Sequence, residues 1–573
     1  MSIDLSTARA IAQMLCPTRR IDGLAAPDPK AYADLVEGCQ DNKVPLLSLD
    51  AQALVFASFY ASAAFKKAHA EERALWAASV HEHLAVQRAL DDAGVRNVLI
   101  KSAGIAPSFP YRSDNSDVLV PLADGPRVRE ILLALGYIEV KTVEEPHKFL
   151  FRKFHLGSSV GAFHLHEFVG WGTGFMDDAQ VLENARPSED APDLLIPSPE
   201  DGVMITMAHA FYEDKEIKLG DLWKVIHLLA GRDLDWESMY AQAQLRGWVE
   251  GLDTCIILWA ELERKLYGAH SFPQDVVERA QAQAPAYCRR YLQARLTEPA
   301  RFPFRVSFRF SKRHYYRKVF RDQMLSTWQK VVDAYLHSWA GIKRRLPFKL
   351  QRPMLITFSG IDGSGKTVHA EMLRDALELC EVDVKPVWSR GGSSALTDAV
   401  IRLVKPLLGG RRDMDVEGDT REAKVKRKRV WLQRPLLRGG WMMLVAFDLL
   451  LRYWAQVAWR LARGQVVVAD RYTYDALVEL VVLTDSPKVT RSLAAWALMH
   501  LCPRPHLAYY LDVSPERALA RKPDELLGFL ERQSLIYRRM AMQWGVQIVD
   551  ANQDLGPLGD HLLHKSLRAY YDR

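Results

Sequence analysis

Cysteine is scarce in this chain of 573 residues, which contains only six. None of the six forms a C-x-x-C pair or another spacing typical of a zinc site. The pattern therefore argues against a disulfide framework and a structural zinc cluster, and it suits a reducing cytoplasm.

Long uninterrupted apolar runs are absent as well. The most apolar stretch, residues 440–459, contains Asp448 and Arg452, whereas a membrane-spanning helix needs about 20 residues with few or no charges. We therefore predict a buried helix there. The opening MSIDLSTARAIAQML carries an acid and lacks the basic segment and apolar core of a signal peptide. We expect a cytoplasmic protein without a membrane partner.

The chain also lacks a strong net charge, since its formal value is only +6. Two segments are locally basic, residues 301–321 and 421–438. The first interleaves arginines with aromatics, a pattern that can bind RNA through charge and stacking. In a chain this mildly basic we favour a connector across a domain surface for the first and a solvated helix face for the second. Nucleic acid is therefore not the partner that we favour.

The most informative stretch that is present, GIDGSGKT, runs from Gly360 to Thr367 and fits G-x-x-x-x-G-K-[ST]. A β-prone apolar run precedes it, and residues 368–379 follow with helical periodicity. Such glycines let backbone N–H groups converge on phosphate oxygens at a helix N-terminus. Lys366 is expected to reach the β- and γ-phosphates, and Thr367 to ligate Mg²⁺. This stretch predicts a nucleoside triphosphate site.

Strand-like and helical patterns alternate through the rest of the C-terminal half, which predicts a doubly wound parallel sheet. Further strands are expected at 382–388, 465–469, 506–512 and 546–550. Asp470 and Arg471 follow the second of these, at the sheet edge where a Mg²⁺-organising carboxylate and a phosphate-binding guanidinium belong. The alternative is a structural ion pair that caps the strand.

The order of the motifs F-S-G-I-D-G-S-G-K-T, V-V-V-A-D-R-Y and L-D-V-S-P-E-R-A-L-A-R makes residues 354–573 resemble the thymidylate kinase family. The resemblance implies ATP and Mg²⁺ as cofactors, with Asp470 supporting the metal and Arg471 meeting the acceptor phosphate. It further implies that Arg521 begins a lid over ATP and that Asp362 contacts the acceptor sugar. The implied nucleotide-binding set is Gly360, Asp362, Gly363, Ser364, Gly365, Lys366 and Thr367. The implied catalytic set is Lys366, Asp470, Arg471 and Arg521.

The same comparison identifies departures. Gly363 stands where some members carry an arginine, and members with glycine there take the transition-state arginine from the lid. The lid candidates in this chain are Arg521, Arg532, Arg538 and Arg539.

The base-reading positions of that family also differ. Its Arg-Glu-Pro-Gly-Gly-Thr loop appears here at 388–393 without the Glu and the Pro, and Arg390 in this loop is a candidate acceptor contact. Its thymine-binding phenylalanine and arginine fall on Val445 and Leu449. Its glutamine falls on Leu480 and its serine on Asp475. Asp475 can contact a sugar hydroxyl, act as the base, or be a buried structural residue. Phosphate machinery without base-reading groups predicts the same reaction on another acceptor.

The N-terminal half, mostly helical by pattern, resembles an uncharacterised nucleotidyltransferase-like family through VLIKSAG at 98–104 and YRSDNSDVLV at 111–120. That chemistry requires an Asp-x-Asp strand and a third acid, which together hold two Mg²⁺ ions. Here the first position is Asn115 and the third is His164, so we predict an impaired or repurposed domain. The alternative is a soft metal site formed by two histidines on one strand face. The candidate residues are Lys101, Asp114, Asp117, His164 and His166.

These observations predict an α/β protein with two parts. We expect a nucleotidyltransferase-like domain with helical flanks at 1–345 (core about 85–240), a linker at 346–353, and a kinase-like domain at 354–573. The predicted function is transfer of the ATP γ-phosphoryl to a nucleotide or sugar phosphate. The alternatives are an ATP-hydrolysing switch without kinase activity and a nucleic-acid-binding protein. Because thymidylate kinases are often dimers, the resemblance also allows a homodimer.

Overall fold

The computed structural model describes most of the chain, in two compact units. The described residues are 2–16, 18–21, 23–24, 27–49, 56–101, 115–140, 148–170, 172–188, 192–343, 352–388, 434–523 and 526–572. One unit comprises residues 1–153 and 160–342, and the other residues 154–159 and 343–573. Two predicted site residues, Asp114 and Arg390, lie outside the described residues.

Most elements of the N-terminal unit are helices. They are Leu5–Leu15, Tyr32–Asp41, Ala57–Ala61, Ala63–Asp92, Gly125–Ala134, Asp178–Glu183, Pro199–Ala208, Leu219–Leu229, Trp236–Leu245, Val249–Tyr267, Gln274–Gln283, Ala286–Thr297, Phe308–Arg321 and Thr327–Lys343, with a π-helical turn at His209–Asp214. Val249–Tyr267 lies at the centre of the core, because residues on all of its faces are buried. A helix whose side chains are buried on every face has other elements packed all around it.

A five-stranded mixed sheet carries the predicted nucleotidyltransferase-like residues. Its strands are β1 (Val98–Leu99), β2 (Ser116–Leu119), β3 (Ile138–Val140), β4 (Lys148–His155) and β5 (Ser158–His166), in the order β1-β2-β5-β4-β3. β2 and β5 run parallel, with Asp117 opposite His164 and Leu119 opposite His166. Three short pairs accompany the sheet: Ile3–Asp4 with Arg301–Phe302, Glu216–Ile217 with Phe304–Arg305, and Arg186–Pro187 with Leu195–Ile196.

The basic segment 301–321 is part of the N-terminal unit's core, so the expected surface connector is wrong. Phe310, Tyr315 and Val319 of its helix are buried in that core. Lys318 forms an ion pair of 2.8 Å with Asp322, and both side chains are fully buried. The helix thus packs one face into the core, while Arg309, Arg313 and Arg321 on its other side are exposed.

The C-terminal unit contains a parallel sheet of five strands. They are β6 (Met354–Ser359), β7 (Val384–Trp388), β8 (Val466–Asp470), β9 (Leu507–Asp512) and β10 (Gln547–Asp550), in the order β7-β8-β6-β9-β10. β6 and β8 are buried along their whole length, as their continuous apolar sequences predict for central parallel strands. The α/β fold class is thereby confirmed.

Helices connect these strands: Lys366–Leu379, Pro435–Tyr453, Trp459–Ala462, Thr473–Thr484, Leu493–Leu501, Pro515–Arg521, Leu527–Trp544 and Leu555–Tyr571. The stretch predicted as one buried helix at 440–459 is Pro435–Tyr453 followed by a π-helical turn at Trp454–Ala458. Only one face is buried, since Phe447 is 55% exposed and Trp454 59% exposed. Within the described part of the chain, no helix has both the length and the apolarity to cross a membrane.

Candidate functional site

The glycine loop between β6 and helix Lys366–Leu379 has a backbone conformation that requires glycine at position 363. Gly363 has φ +85°, and a Cβ atom there would lie 2.4 Å from the carbonyl oxygen of Ala518. An L-residue rarely adopts that backbone conformation, and the contact leaves no room for a side chain. The arginine that some members of the thymidylate kinase family carry at this loop position therefore cannot fit in place of Gly363.

Lys366 begins the helix and turns its side chain back into the loop. Its Nζ donates to the carbonyl oxygens of Gly360 at 2.9 Å and Ile361 at 2.7 Å. Burial lowers the pKa of Lys366 to about 8, and the nearby Arg471 guanidinium adds to that effect. The ammonium thus lies inside the ring of loop backbone that the sequence motif predicts.

Thr367 and Asp470 meet at the adjacent sheet edge. The Thr367 hydroxyl donates to Asp470 Oδ2 at 2.6 Å. Asp470 is buried, and its other oxygen, Oδ1, has no hydrogen-bond partner within the described residues. A hydroxyl and a carboxylate with spare acceptor capacity are the hard oxygen ligands that Mg²⁺ takes. The donor set therefore fits Mg²⁺.

Arg471 follows directly and binds the loop acid Asp362. Its backbone has φ +75°, and its N–H donates to the Phe358 carbonyl oxygen at 3.0 Å, which fixes the turn at the end of β8. Burial opposes the charge of Arg471, but the carboxylates of Asp475 and Asp362 outweigh burial and raise its pKa. Arg471 thus carries a fixed positive charge beside the loop.

Asp475 is enclosed by donors. Its Oδ2 accepts from Ser359 Oγ at 2.7 Å and Tyr472 N at 3.0 Å. Its Oδ1 accepts from Tyr537 Oη at 2.7 Å and Gly360 N at 3.4 Å. These contacts favour the structural alternative over a direct contact with an acceptor. Tyr537 was not a predicted site residue, and only its distant partner reveals its role.

The lid candidates differ in their partners. Arg521 donates to the Gly363 carbonyl oxygen at 3.3 Å, and neighbouring Lys522 Nζ lies 3.7 Å from Asp362 Oδ2. Arg532 pairs with Asp485, and Arg538 Nε pairs with Asp512 Oδ2 at 2.9 Å. Arg521 is therefore the candidate whose contact lies on the glycine loop itself.

The positions that align with thymine-reading groups are apolar and buried. Val445, Leu449 and Leu480 are 3%, 0% and 2% exposed. They belong to the packed faces of helices Pro435–Tyr453 and Thr473–Thr484. None of the three side chains can hydrogen-bond a base.

In the N-terminal unit, Asp117 is the centre of a buried polar cluster. Its Oδ1 lies 2.9 Å from His166 Nε2 and 3.2 Å from His164 Nδ1. Lys101 Nζ is 3.2 Å from the same oxygen and 3.6 Å from Glu213 Oε2. Burial alone would raise the pKa of Asp117, but Lys101 and the two histidines hold it well below its usual range.

Four of the predicted N-terminal residues therefore come together: Lys101, Asp117, His164 and His166. Asn115 contacts His164 beside them. Glu213 and its i,i+4 neighbour His209, whose Nε2 lies 3.0 Å from Glu213 Oε2, extend the cluster. Glu213 was not predicted, although its spacing from His209 places the two on one helical face.

Comparisons with known proteins agree with this division. Residues 52–263 match the family model described as "Uncharacterised nucleotidyltransferase". The C-terminal half is similar to thymidylate kinases. The chain thus joins a part like a nucleotidyltransferase to a part like a thymidylate kinase. The resemblances read from the sequence motifs are confirmed.

The kinase relatives are distant. A probable thymidylate kinase 2 of Saccharolobus solfataricus is 29% identical over 170 residues, which are 30% of this chain and 64% of that protein. A thymidylate kinase of Chlorobium limicola is 26% identical over 239 residues, 38% of this chain and 93% of that protein. A probable thymidylate kinase of Pyrobaculum calidifontis is 26% identical over 221 residues, 35% of this chain and 90% of that protein. The chain thus spans just under two thirds of the first relative.

Proposed function

We propose that the C-terminal unit is an ATP-dependent kinase that transfers the γ-phosphoryl group to a nucleotide or sugar phosphate. The observation that carries the proposal is the Thr367–Asp470 pair beside Lys366, with one buried Asp470 oxygen left to accept a ligand. If Asp470 and Arg471 only capped the end of the strand, neither the P-loop lysine nor a carboxylate oxygen without a partner would be needed at the same sheet edge.

The mechanism is positioning and charge neutralisation, as in other phosphoryl transfers. Lys366 and the loop N–H groups bind the β- and γ-phosphates, and Arg471 binds the acceptor phosphate. Asp362 holds Arg471 in place and accepts from a sugar hydroxyl. Arg521 donates to the transferring group from the lid side. Thr367 and Asp470 would hold Mg²⁺, which would supply positive charge at the phosphate oxygens.

The acceptor is proposed to differ from thymidylate. Val445, Leu449 and Leu480 present no polar atom at the three positions where the family's thymine contacts align. A site that hydrogen-bonds its substrate rejects analogues by leaving its own groups unpaired. Without such groups this unit has no means of selecting thymine at these positions.

The test is ADP formation by the full chain with Mg²⁺ and a panel of thymidylate, other nucleoside monophosphates and sugar phosphates. We expect one acceptor to stimulate turnover, and Lys366→Ala to abolish it. Thr367→Val should lower kcat at least about 100-fold and Thr367→Ser less than about tenfold, because serine keeps the hydroxyl ligand. Thr490→Val removes a surface hydroxyl and is the matched control.

One result would contradict the kinase function, and two others would contradict parts of the argument. ADP formation that ignores every acceptor would indicate an ATP-hydrolysing switch. If Thr367→Val were as active as the wild type, Thr367 would not be a metal ligand. Stimulation by thymidylate would refute the argument about the acceptor while leaving the kinase in place.

We also propose that the N-terminal unit does not run Mg²⁺-dependent nucleotidyl transfer. Asn115 supplies no charge at the first carboxylate position, and the Lys101 ammonium occupies the vicinity of the remaining one, Asp117. Pyrophosphate release from nucleoside triphosphates should therefore stay at background. Release that depends on Asp117 would contradict this.

A further inference from the structure

Three potential metal ligands meet on neighbouring strands of the N-terminal unit. Asp117, His164 and His166 each offer one ligand atom, and these atoms all lie within 4.8 Å of one another. The parallel register of β2 and β5 produces the cluster, because it sets Asp117 directly opposite His164. Alternation along β5 then turns His166 to the same face.

The spacing of these atoms suits direct coordination. Asp117 Oδ1 is 2.9 Å from His166 Nε2 and 3.2 Å from His164 Nδ1. Ligand atoms of a tetrahedral zinc site are about 3.3 Å apart, since each bond is about 2.0–2.1 Å long. All three ligand atoms lie within 4.8 Å of one another, so side-chain rotations that bring the two histidine nitrogens closer would let the three groups share one ion.

The chemistry of the set favours a transition metal over Mg²⁺. Two neutral imidazoles suit Zn²⁺ and Co²⁺, whereas Mg²⁺ prefers carboxylate, phosphate and water oxygens. The sequence alone predicted a site with two histidine ligands. The register between β2 and β5 adds Asp117 as the third ligand.

Lys101 is the competitor for this position. Its ammonium is 3.2 Å from Asp117 Oδ1 and repels a divalent ion there, but Glu213 lies 3.6 Å away on its other side. A rotation towards Glu213 would keep Lys101 paired while it vacates the carboxylate. A metal ion could then replace Lys101 at Asp117 without leaving the ammonium unpaired.

We propose that Asp117, His164 and His166 bind one divalent transition-metal ion, of which Zn²⁺ is the natural probe. Asp117 and His166 are buried, at 3% and 1% exposure, while the His164 side chain is 20% exposed. The ion is therefore reached from the His164 side. Three protein ligands leave a coordination position for water or a phosphate oxygen, as in catalytic zinc sites.

The experiment titrates the metal-free full chain with Zn²⁺ by calorimetry and with Co²⁺ by visible absorption, both in excess Mg²⁺ to saturate the P-loop. We expect His164→Ala to weaken binding at least about 100-fold, because ligand loss exceeds the 10–100-fold cost of changing an outer partner. The control, His81→Ala, changes an exposed histidine on a helix of the same unit. Near-UV circular dichroism confirms that each variant is folded.

A second variant moves the affinity in the opposite direction. Lys101→Met removes the competing ammonium, so Zn²⁺ should bind at least about tenfold more tightly. A cluster that is only structural predicts no such gain. Equal Zn²⁺ affinity in wild type and His164→Ala, or weaker binding by Lys101→Met, would overturn the proposal. Both readouts are independent of kinase activity.

Discussion

Replacing Asp475 with asparagine tests whether this carboxylate is structural. Each of its two oxygens accepts from one hydroxyl and one backbone N–H: Oδ1 from Tyr537 and Gly360, Oδ2 from Ser359 and Tyr472. Asparagine keeps a single carbonyl oxygen. Whichever way its amide turns, the NH₂ group faces one of the two backbone N–H groups, and that donor loses its acceptor. The hydroxyls can rotate, but an N–H cannot.

The expected cost follows from these contacts. A buried donor without a partner costs about 1–3 kcal/mol, and the bonds that remain lose the extra strength of a charged acceptor, about 1 kcal/mol. We therefore expect Asp475→Asn to reduce the free energy of unfolding of the C-terminal unit by about 2–4 kcal/mol. At about 1.4 kcal/mol per tenfold change, this corresponds to exchange of core amides about 30- to 700-fold faster.

The assay is hydrogen exchange of the full chain by mass spectrometry, read on peptides from β6 and helix Thr473–Thr484. Asp485→Asn is the matched control, because Asp485 ends the same helix, is exposed and has φ +53°, which asparagine tolerates. It should change exchange by less than about threefold. Wild-type protection in Asp475→Asn together with lost turnover would refute the structural role and make Asp475 an acceptor contact.

Three further substitutions follow from the same reasoning. Gly363→Ala should weaken ATP binding, measured by calorimetry, at least about tenfold, because the φ of Gly363 and the neighbouring Ala518 carbonyl leave no room for a methyl group. Gly528→Ala is the control, and equal ATP affinities of the two variants would contradict the steric argument. Lys318→Met should destabilise the N-terminal unit by about 3–5 kcal/mol, since it leaves Asp322 buried without its cation; unchanged amide exchange in helix Phe308–Arg321 would be the contrary result. Burial lowers the pKa of His83 from 6.5 to about 3, so the unfolded chain binds the extra proton and stability falls as the pH drops through this window. The wild type should lose about 1 kcal/mol more than His83→Leu between about pH 6.5 and 5.5, measured by exchange in β5, and parallel pH profiles would refute it.

The sequence predicted the C-terminal fold well because its signals are local. Buried parallel strands such as β8 are continuous apolar runs, and Asp470 and Arg471 follow that strand directly in the chain. Glycine, lysine and threonine of the loop are likewise adjacent. Tyr537 escaped prediction because its bond to Asp475 joins positions 62 residues apart, and no local pattern encodes that contact.

The N-terminal site was predicted only in part for the same physical reason. Strand alternation places His164 and His166 on one face, which the sequence shows. Their meeting with Asp117 depends on the register between β2 and β5, and a shift by one residue would turn Asp117 to the opposite face. The ion pair of Lys101 with Asp117 depends on the pairing of β1 with β2 as well.

In both units, the residues that differ from the family motifs fit the structure around them. Their fit is relevant to whether these differences reflect a loss or a change of function. Drift away from a working site leaves buried polar groups without partners, which is costly. Val445, Leu449 and Leu480 instead fill the packed faces of their helices. His164 meets Asp117 at hydrogen-bonding distance, in the position of a lost acid. Both sets of replacements thus fit their environments, and Lys366, Thr367 and Asp470 meet at one sheet edge, as the proposed change of acceptor and of metal requires.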